Sequence, residues 1–172
     1  MTASARFSTG AGRVFSTGAD LTGRGSARKD AHTPLGMRIS TFGFSRMVNA
    51  IWALEKPVVC AVNGAAAGAG CNLVLSCDLV MAADTAKFIQ VFVRRRLIPD
   101  GGGACFLPRL VGLLRAKQLM MLGEDLPASR ALEWGLIYDI VAADKLMDEA
   151  MKTAQRLACG PTRAIGMTKS ML

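Results

Sequence analysis

The stretch PVVCAVNGAAAGAGCN occupies residues 57–72. Its first half holds VVCAV, a short β-branched run with the composition of a fully buried strand. Its second half is nearly bare main chain: of the ten residues NGAAAGAGCN at 63–72, eight carry nothing larger than a methyl or a thiol. Backbone without side chains lets another group approach it closely. Where such a turn joins a strand to a helix, N–H groups without intrahelical partners point outward, and the helix dipole adds roughly half a positive charge. The turn is therefore an anion site, either for a phosphate or for an oxyanion that exists only during a reaction.

The phosphate reading meets a decoy. Gly64, Gly68 and Gly70 match G-x-x-x-G-x-G, the nucleotide turn of short-chain dehydrogenases. Those enzymes also need a Tyr followed four residues later by Lys. The single tyrosine, Tyr138, has Ala142 at that spacing. The stricter G-x-G-x-x-G fails at Leu73, and no Walker lysine follows. A redox or nucleotide cofactor is disfavoured, and the oxyanion reading gains.

Composition sets the wider bounds. The 172 residues fit one domain, about half apolar and a fifth charged, which is the balance of a folded protein. The net charge of +8 and a pI near 9.7 would suit an acidic partner: nucleic acid, an anionic membrane or a phosphorylated small molecule. The basic residues are dispersed, however, except at Arg94, Arg95 and Arg96, and dispersed charge is most often a solvated surface. A nucleic-acid role also lacks an aromatic stacking platform. The five cysteines (Cys60, Cys71, Cys77, Cys105, Cys159) form no C-x-x-C pair, which predicts reduced, buried thiols and a cytoplasmic setting. His32 stands alone, so no metal site is expected. Residues 57–77 are uncharged, but Asn63, Asn72, Ser76 and the glycines make them a buried strand and helix rather than a membrane span. The acid-free start, MTASARFSTGAGRVFSTG, faintly resembles a transit peptide but lacks a clear amphipathic helix.

Strand and helix signals alternate along the chain. RVF at 13–15 reads as the end of a strand, and residues 21–43 as a polar loop with one turn of helix at most. Phe44, Met47, Val48, Ile51, Trp52 and Leu54 recur at three and four, the stripe of an amphipathic helix that Pro57 ends. CNLVLSC suits a buried helix and DLVMAA a second buried strand. ACFLPRLVG, RAKQLMMLG and PASRALEWG each end in a glycine placed to close a helix. LIYDIV is a further strand. DKLMDEAMKTAQRLACG is a long helix with Asp144 as candidate N-cap, and a last helix opens at Pro161. The alternation predicts an α/β fold. Met120, Met121, Trp134 and Tyr138 read as packing residues.

A second turn completes the oxyanion reading. FSTGADL at 15–21 also runs from strand to loop, and its small residues Gly18 and Ala19 could offer a main-chain N–H. Two such donors on one carbonyl oxygen would stabilise the charge that builds there by a few kcal/mol each, about 3. The segments VFSTGADL, KPVVCAVNGAAAGAGCNLVLSCDLVMAADTAKF, LIPDGGGACFLPRLVG and EWGLIYDIV together resemble the enoyl-CoA hydratase/isomerase (crotonase) family, in that family's own order. The resemblance runs from about Gly10 onward.

It implies a crotonase-like fold of repeated β-β-α turns in a single domain over residues 1–172, with a spiral core to about 160 and the start of a helical region at 161–172. It implies homotrimers or hexamers, no metal and no cofactor apart from coenzyme A, which enters as part of an acyl-CoA thioester substrate. The amides of Ala19 and Ala69 would hold the thioester oxygen, with Gly18, Gly68 and Gly70 shaping the two turns. Ala69 stands where many relatives have glycine, a change that keeps the N–H. Leu21, Arg24, Arg28 and Lys29 fall where relatives approach the coenzyme A nucleotide. The Arg94–96 cluster is a second place for its phosphates, for a neighbouring subunit, or simply for water.

An oxyanion hole moves no proton; a positioned acid or base must do that. Relatives that hydrate double bonds hold the water with two glutamates. This chain has Asn72 at one of those places and Phe92 at the other, which argues against hydration. It has instead Asp100, in LIPDGGG, where relatives that shift double bonds often carry an acid. AKFIQ, PDGGG, LPRLVG and WGLI are closest to the phenylacetate-pathway subgroup, which rearranges ring-epoxidised phenylacetyl-CoA and can also shift the double bond of enoyl-CoA. Phe92 and Leu97 would line the acyl pocket and raise the pKa of Asp100. Without the resemblance, Asp100 reads as the cap of the helix beginning near Gly102. Asn72 either orients substrate or pairs with a nearby backbone group, and Asp20 more simply fixes the first turn. Relatives usually carry two further strands and a helix before this region and more helix after it, so an exposed sheet edge is expected here. An inactive relative that only binds coenzyme A esters or assembles is the second reading, and an RNA-binding protein the third.

Overall fold

The computed structural model describes residues 5–19 and 34–172. VVCAV is β2 (Val58–Val62), with every residue buried. Parallel neighbours flank it: β1 (Arg6–Thr9), with Phe7 opposite Val59, and β4 (Leu79–Ala83), with Cys60 opposite Val80. β7 (Asp139–Val141) pairs with β4, giving the parallel order β1-β2-β4-β7. A parallel sheet is stable when helices cover it, which is why these strands read as unbroken apolar runs. α2 (Ala69–Leu75) makes the crossover from β2 to β4, and α6 (Leu146–Cys159) packs across β1, β2 and β4 with Leu146, Ala150 and Ala154 buried.

A second sheet has the order β3-β5-β6, formed by β3 (Ala65–Ala67), β5 (Lys87–Ile89) and β6 (Asp125–Pro127). Its first pair is parallel and its second antiparallel. Twice the chain leaves a strand of the larger sheet and within a few residues enters the smaller one, from β2 to β3 and from β4 to β5. The repeating unit is thus strand, strand, helix, as the α/β reading with β-β-α turns requires. The three glycine-ended segments become α3 (Gly103–Val111), α4 (Leu113–Leu122) and α5 (Ala128–Glu133), and Gly112, Gly123 and Gly135 behind them all take positive φ.

Several local expectations are corrected. RVF is not a strand; only Ser16 makes a single parallel bridge, to Ala66. The strand lies earlier, in RFST, where propensity is poor and pairing with β2 decides. The loop expected through Gly43 is already helix from Pro34, since α1 spans Pro34–Trp52. Proline is at home in a first turn, and Val48, 1% exposed, anchors the helix. In LIYDIV only Asp139–Val141 is strand, and Tyr138 is exposed rather than a packing anchor. Met121 is likewise exposed on α4, while Met120 packs on the core. Lys145, not Asp144, takes the N-cap position of α6, with no side-chain cap. Cys60 and Cys71 are buried as expected, but Cys105 and Cys159 are exposed. Trp134 is the packing residue it reads as, held between the guanidinium groups of Arg115 and Arg130, 4.9 and 4.8 Å from its ring centre. Among the described residues, no helix is long and apolar enough to cross a membrane.

The last helix, α7 (Thr162–Met171), is latched to the start of β2. Lys169 Nζ donates to Asp78 Oδ2 at 2.7 Å and to the Ile51 and Lys56 carbonyls at 3.1 and 3.4 Å. The same Asp78 oxygen accepts the Val58 amide at 2.7 Å. With the lysine side chain only 10% exposed, losing it would leave a carboxylate and two carbonyls short of a partner. Lys169→Met should therefore lower the unfolding free energy by about 2 kcal/mol, read from the urea midpoint at constant slope. An unchanged midpoint would mean that α7 is merely appended.

Candidate active site

The bare turn does what its composition permits. Ala69 opens α2, Gly68 is its N-cap, and the first bond of its ladder runs from the Asn72 amide to the Gly68 carbonyl at 3.0 Å. The amides of Ala69, Gly70 and Cys71 precede that bond, so the helix offers them no acceptor. Gly68 turns its own amide away, donating to Ile89 of β5 at 2.9 Å. The helix start is thereby pinned to the smaller sheet.

Against this helix start lies the other small-residue turn. Phe15 and Ser16 donate to the Ala65 carbonyl, and Ala67 donates back to Ser16. Gly18 follows with φ +91°. A methyl group built on it would stand 3.3 Å from the Ala69 nitrogen and 3.0 Å from the Ala67 carbonyl oxygen. Only glycine combines that dihedral with that approach. Gly70 faces Ser16 from the helix side, again with no room for a side chain. The two turns named in the sequence are in contact, with Gly18 beside the Ala69 amide. Ala19 follows Gly18 and is exposed.

At the other end of the same helical turn sits Asn72, wholly buried. Its Nδ2 donates to the Asp100 carbonyl at 2.7 Å, and its Oδ1 accepts Gln90 Nε2 at 2.9 Å. Both ends of the carboxamide are thus engaged by protein groups. Of its two readings the backbone partnership is the one observed. Gly103 is packed so closely that a Cβ there would lie 2.5 Å from Asn72 Oδ1. The glycines of PDGGG thereby let the Asp100 loop lie directly on α2.

Asp100 does not cap α3: Gly102 takes the N-cap position, without any side-chain hydrogen bond. Its carbonyl accepts the Gly103 amide at 3.0 Å, while its carboxyl Oδ1 is buried with no hydrogen-bond partner among the described residues. Burial raises its pKa above the ordinary carboxylate value, offset in part by its own backbone amide. Phe92 is buried in a 3₁₀ turn, Val91–Arg95, and a methyl on Gly68 would stand 3.9 Å from its ring. Leu97 donates its amide to the Phe92 carbonyl at 3.0 Å and is 36% exposed, nearer a rim than a core.

Asp20, Leu21, Arg24, Arg28, Lys29 and His32 lie outside the described residues. Arg94 pairs with Asp125 at 2.7 Å, which also has Lys87 at 3.7 Å, so one member of the arginine cluster serves the second sheet. Among the described residues, no cluster of three or more His, Cys, Asp or Glu side chains could hold a metal ion. Burial pushes the Cys71 thiol up to about 12, so it stays protonated at neutral pH. Sequence reasoning missed Gln90. Its signal was present: one carboxamide inside the apolar run FIQVF, which a buried strand end tolerates only with a partner.

Two backbone turns thus meet at the Ala69 amide, and the loop carrying Asp100, with one carboxyl oxygen unpaired among the described residues, is tied to the same helical turn through Asn72. The family model of enoyl-CoA hydratase/isomerase matches residues 7–172, and the chain belongs to that family. It is 44% identical over 164 residues to the 1,2-epoxyphenylacetyl-CoA isomerase of Escherichia coli, covering 95% of this chain and 62% of that protein. It is 35% identical over 165 residues to a short-chain-enoyl-CoA hydratase of Clostridium acetobutylicum, covering 95% and 61%. The crystal structure of an enoyl-CoA hydratase from Mycobacterium avium subsp. paratuberculosis superposes with a TM-score of 0.84 at 39% identity, over 95% of this chain and 62% of that one. The chain thus spans about 62% of the length of such relatives.

The raised pKa of Asp100 has a stability consequence with a definite sign. The folded protein holds this proton to higher pH than the unfolded chain does. The group's contribution is therefore full below the unfolded value, about 3.9, and declines as pH climbs through the window up to the raised folded value. Asp100→Asn should be neutral for stability near pH 3 and stabilising at pH 7, measured by urea unfolding across that range. A gain of equal size at every pH would assign the effect to something other than the buried charge.

Proposed function

We propose that this chain carries the catalytic site of an acyl-CoA thioester isomerase that moves the double bond of a 3-enoyl-CoA into conjugation. The observation that carries the reading is the Asp100 carboxyl oxygen, buried and without a partner among the described residues, on a loop tied to the helix whose first amide meets the Gly18 turn. In the proposed step, the thioester oxygen accepts the amides of Ala19 and Ala69. The Asp100 carboxylate takes a proton from C2, and the electrons of that C–H bond delocalise into a dienolate with its charge on the held oxygen. Delivery of a proton from Asp100 to C4, after exchange with solvent for part of the turnovers, leaves the 2-enoyl thioester. One carboxylate suffices, and burial makes it a better base.

Hydration is the less favoured chemistry for this site. It needs acids to hold and activate water, and Asn72 is spent on Gln90 and Asp100 while Phe92 is buried hydrocarbon. The 44% identity to an epoxyphenylacetyl-CoA isomerase makes a ring-epoxidised phenylacetyl thioester a second substrate of the same reading. The coenzyme A nucleotide is assigned to Leu21, Arg24, Arg28 and Lys29, with Asp20 fixing the turn before them. The exposed Leu113, Leu114, Met121 and Leu122 of α4 support an assembled form, a homotrimer or hexamer.

With 3-enoyl-CoA in heavy water, conjugation should appear in the ultraviolet, with deuterium uptake at C2 or C4. Asp100→Asn should slow turnover by about 10³-fold and leave the Kd for a saturated acyl-CoA within about threefold. Turnover near wild type in that variant would remove Asp100 from the mechanism.

A further inference from the structure

Gln90 is 2% exposed, and its amide is committed in a particular way. Nε2 reaches Asn72 Oδ1 at 2.9 Å and lies 3.5 Å from Cys71 Sγ, whereas Oε1 is buried with no partner among the described residues. An unpaired buried carbonyl is costly, and an apolar side chain of similar volume would avoid it. A glutamine kept at this cost is being used for its donor. That donor and the acceptor-only Asp100 carbonyl together set which way the Asn72 carboxamide faces: Oδ1 accepts from Gln90, and Nδ2 points to the Asp100 carbonyl, where it donates at 2.7 Å. Were the Asn72 amide turned over, its Oδ1 would face that carbonyl oxygen and the contact would become repulsive.

We infer that Gln90 is a positioning residue for the Asp100 loop, acting through Asn72 by fixing the orientation of its carboxamide. The string Gln90, Asn72, Asp100 joins the end of β5, the first turn of α2 and the loop before α3, three segments separated by 18 and 28 residues in sequence. Gly103 closes the loop over the Asn72 amide, so a loosened carboxamide shifts the loop itself. The catalytic consequence rests on Asp100 acting as the base; the fixing of the loop does not.

The test uses the full chain and two readouts. In Gln90→Leu, the ¹³C carboxyl resonance of Asp100, assigned by its loss in Asp100→Asn, should titrate lower than in wild type, nearer the ordinary value of about 3.9, because a loosened loop meets water. Steady-state kinetics with 3-enoyl-CoA should show kcat down about tenfold with KM within about twofold. In an Asn72→Leu background the same substitution should add less than about 1.5-fold, because the string is already cut. Gln90→Asn, which keeps the amide but shortens its reach, serves if the leucine variant does not fold, and should shift the Asp100 resonance the same way. An Asp100 titration unmoved in a folded Gln90 variant, or full additivity with Asn72→Leu, would overturn the inference. If the wild-type chain shows no turnover, the isomerase reading fails by itself, and the resonance still decides the role of Gln90.

Discussion

One buried carboxamide joins the segments on which the site depends. Asn72 belongs to α2, receives a hydrogen bond from the end of β5 and gives one to the loop that leads into α3. Each bond alone is worth about 1 kcal/mol net, but a polar group sealed from water makes its partners obligatory rather than optional. The neighbouring strands hold α2 from one side, through Gly68 and Ile89, and the string holds the Asp100 loop to it from the other. What the fold supplies is thus a first turn of helix whose Ala69 amide has no acceptor within the helix, with the Asp100 loop bound to that turn through Asn72.

Much of this was legible in the sequence because the informative residues are those whose physics is local. VVCAV announces a strand buried on both faces, and the bare turn after it announces close approach; both are observed. The contact between the Gly18 turn and the helix start follows from the same absence of side chains. RFST was not legible, since its strand character comes from the partner rather than from its own residues. The early start of α1 was hidden because glycines at 36 and 43 lower the local helix propensity. Gln90 and the orientation of Asn72 depend on pairings across 18 and 28 residues, which no window of sequence displays. Asp100 read locally as a cap; only the resemblance pointed elsewhere, and Gly102 holds the cap position instead.

The site also departs from what stability alone would choose. Two buried oxygens, Gln90 Oε1 and Asp100 Oδ1, lack partners among the described residues, and they belong to the two ends of the same string. Native proteins carry few such groups, and those they carry call for an explanation. For Asp100 the proposed explanation is chemical, since a carboxylate poorly solvated in its resting state is a stronger base. For Gln90 the inferred explanation is geometric. The cost is borne by a core of small and branched residues that buries β2 completely.

The Lys169 latch sets an order of events. Its acceptors at Ile51, Lys56 and Asp78 lie 118, 113 and 91 positions earlier in the chain. At a synthesis rate of about 5–20 residues per second, Asp78 emerges roughly 5–20 s before the ammonium that neutralises it. Throughout that interval the entrance to β2 carries a carboxylate with no counter-ion from this helix. Contacts of such long range are slow to form and late to be rewarded. The central strand, the most buried segment of the fold, therefore has to be synthesised well before the helix that neutralises the charge at its entrance.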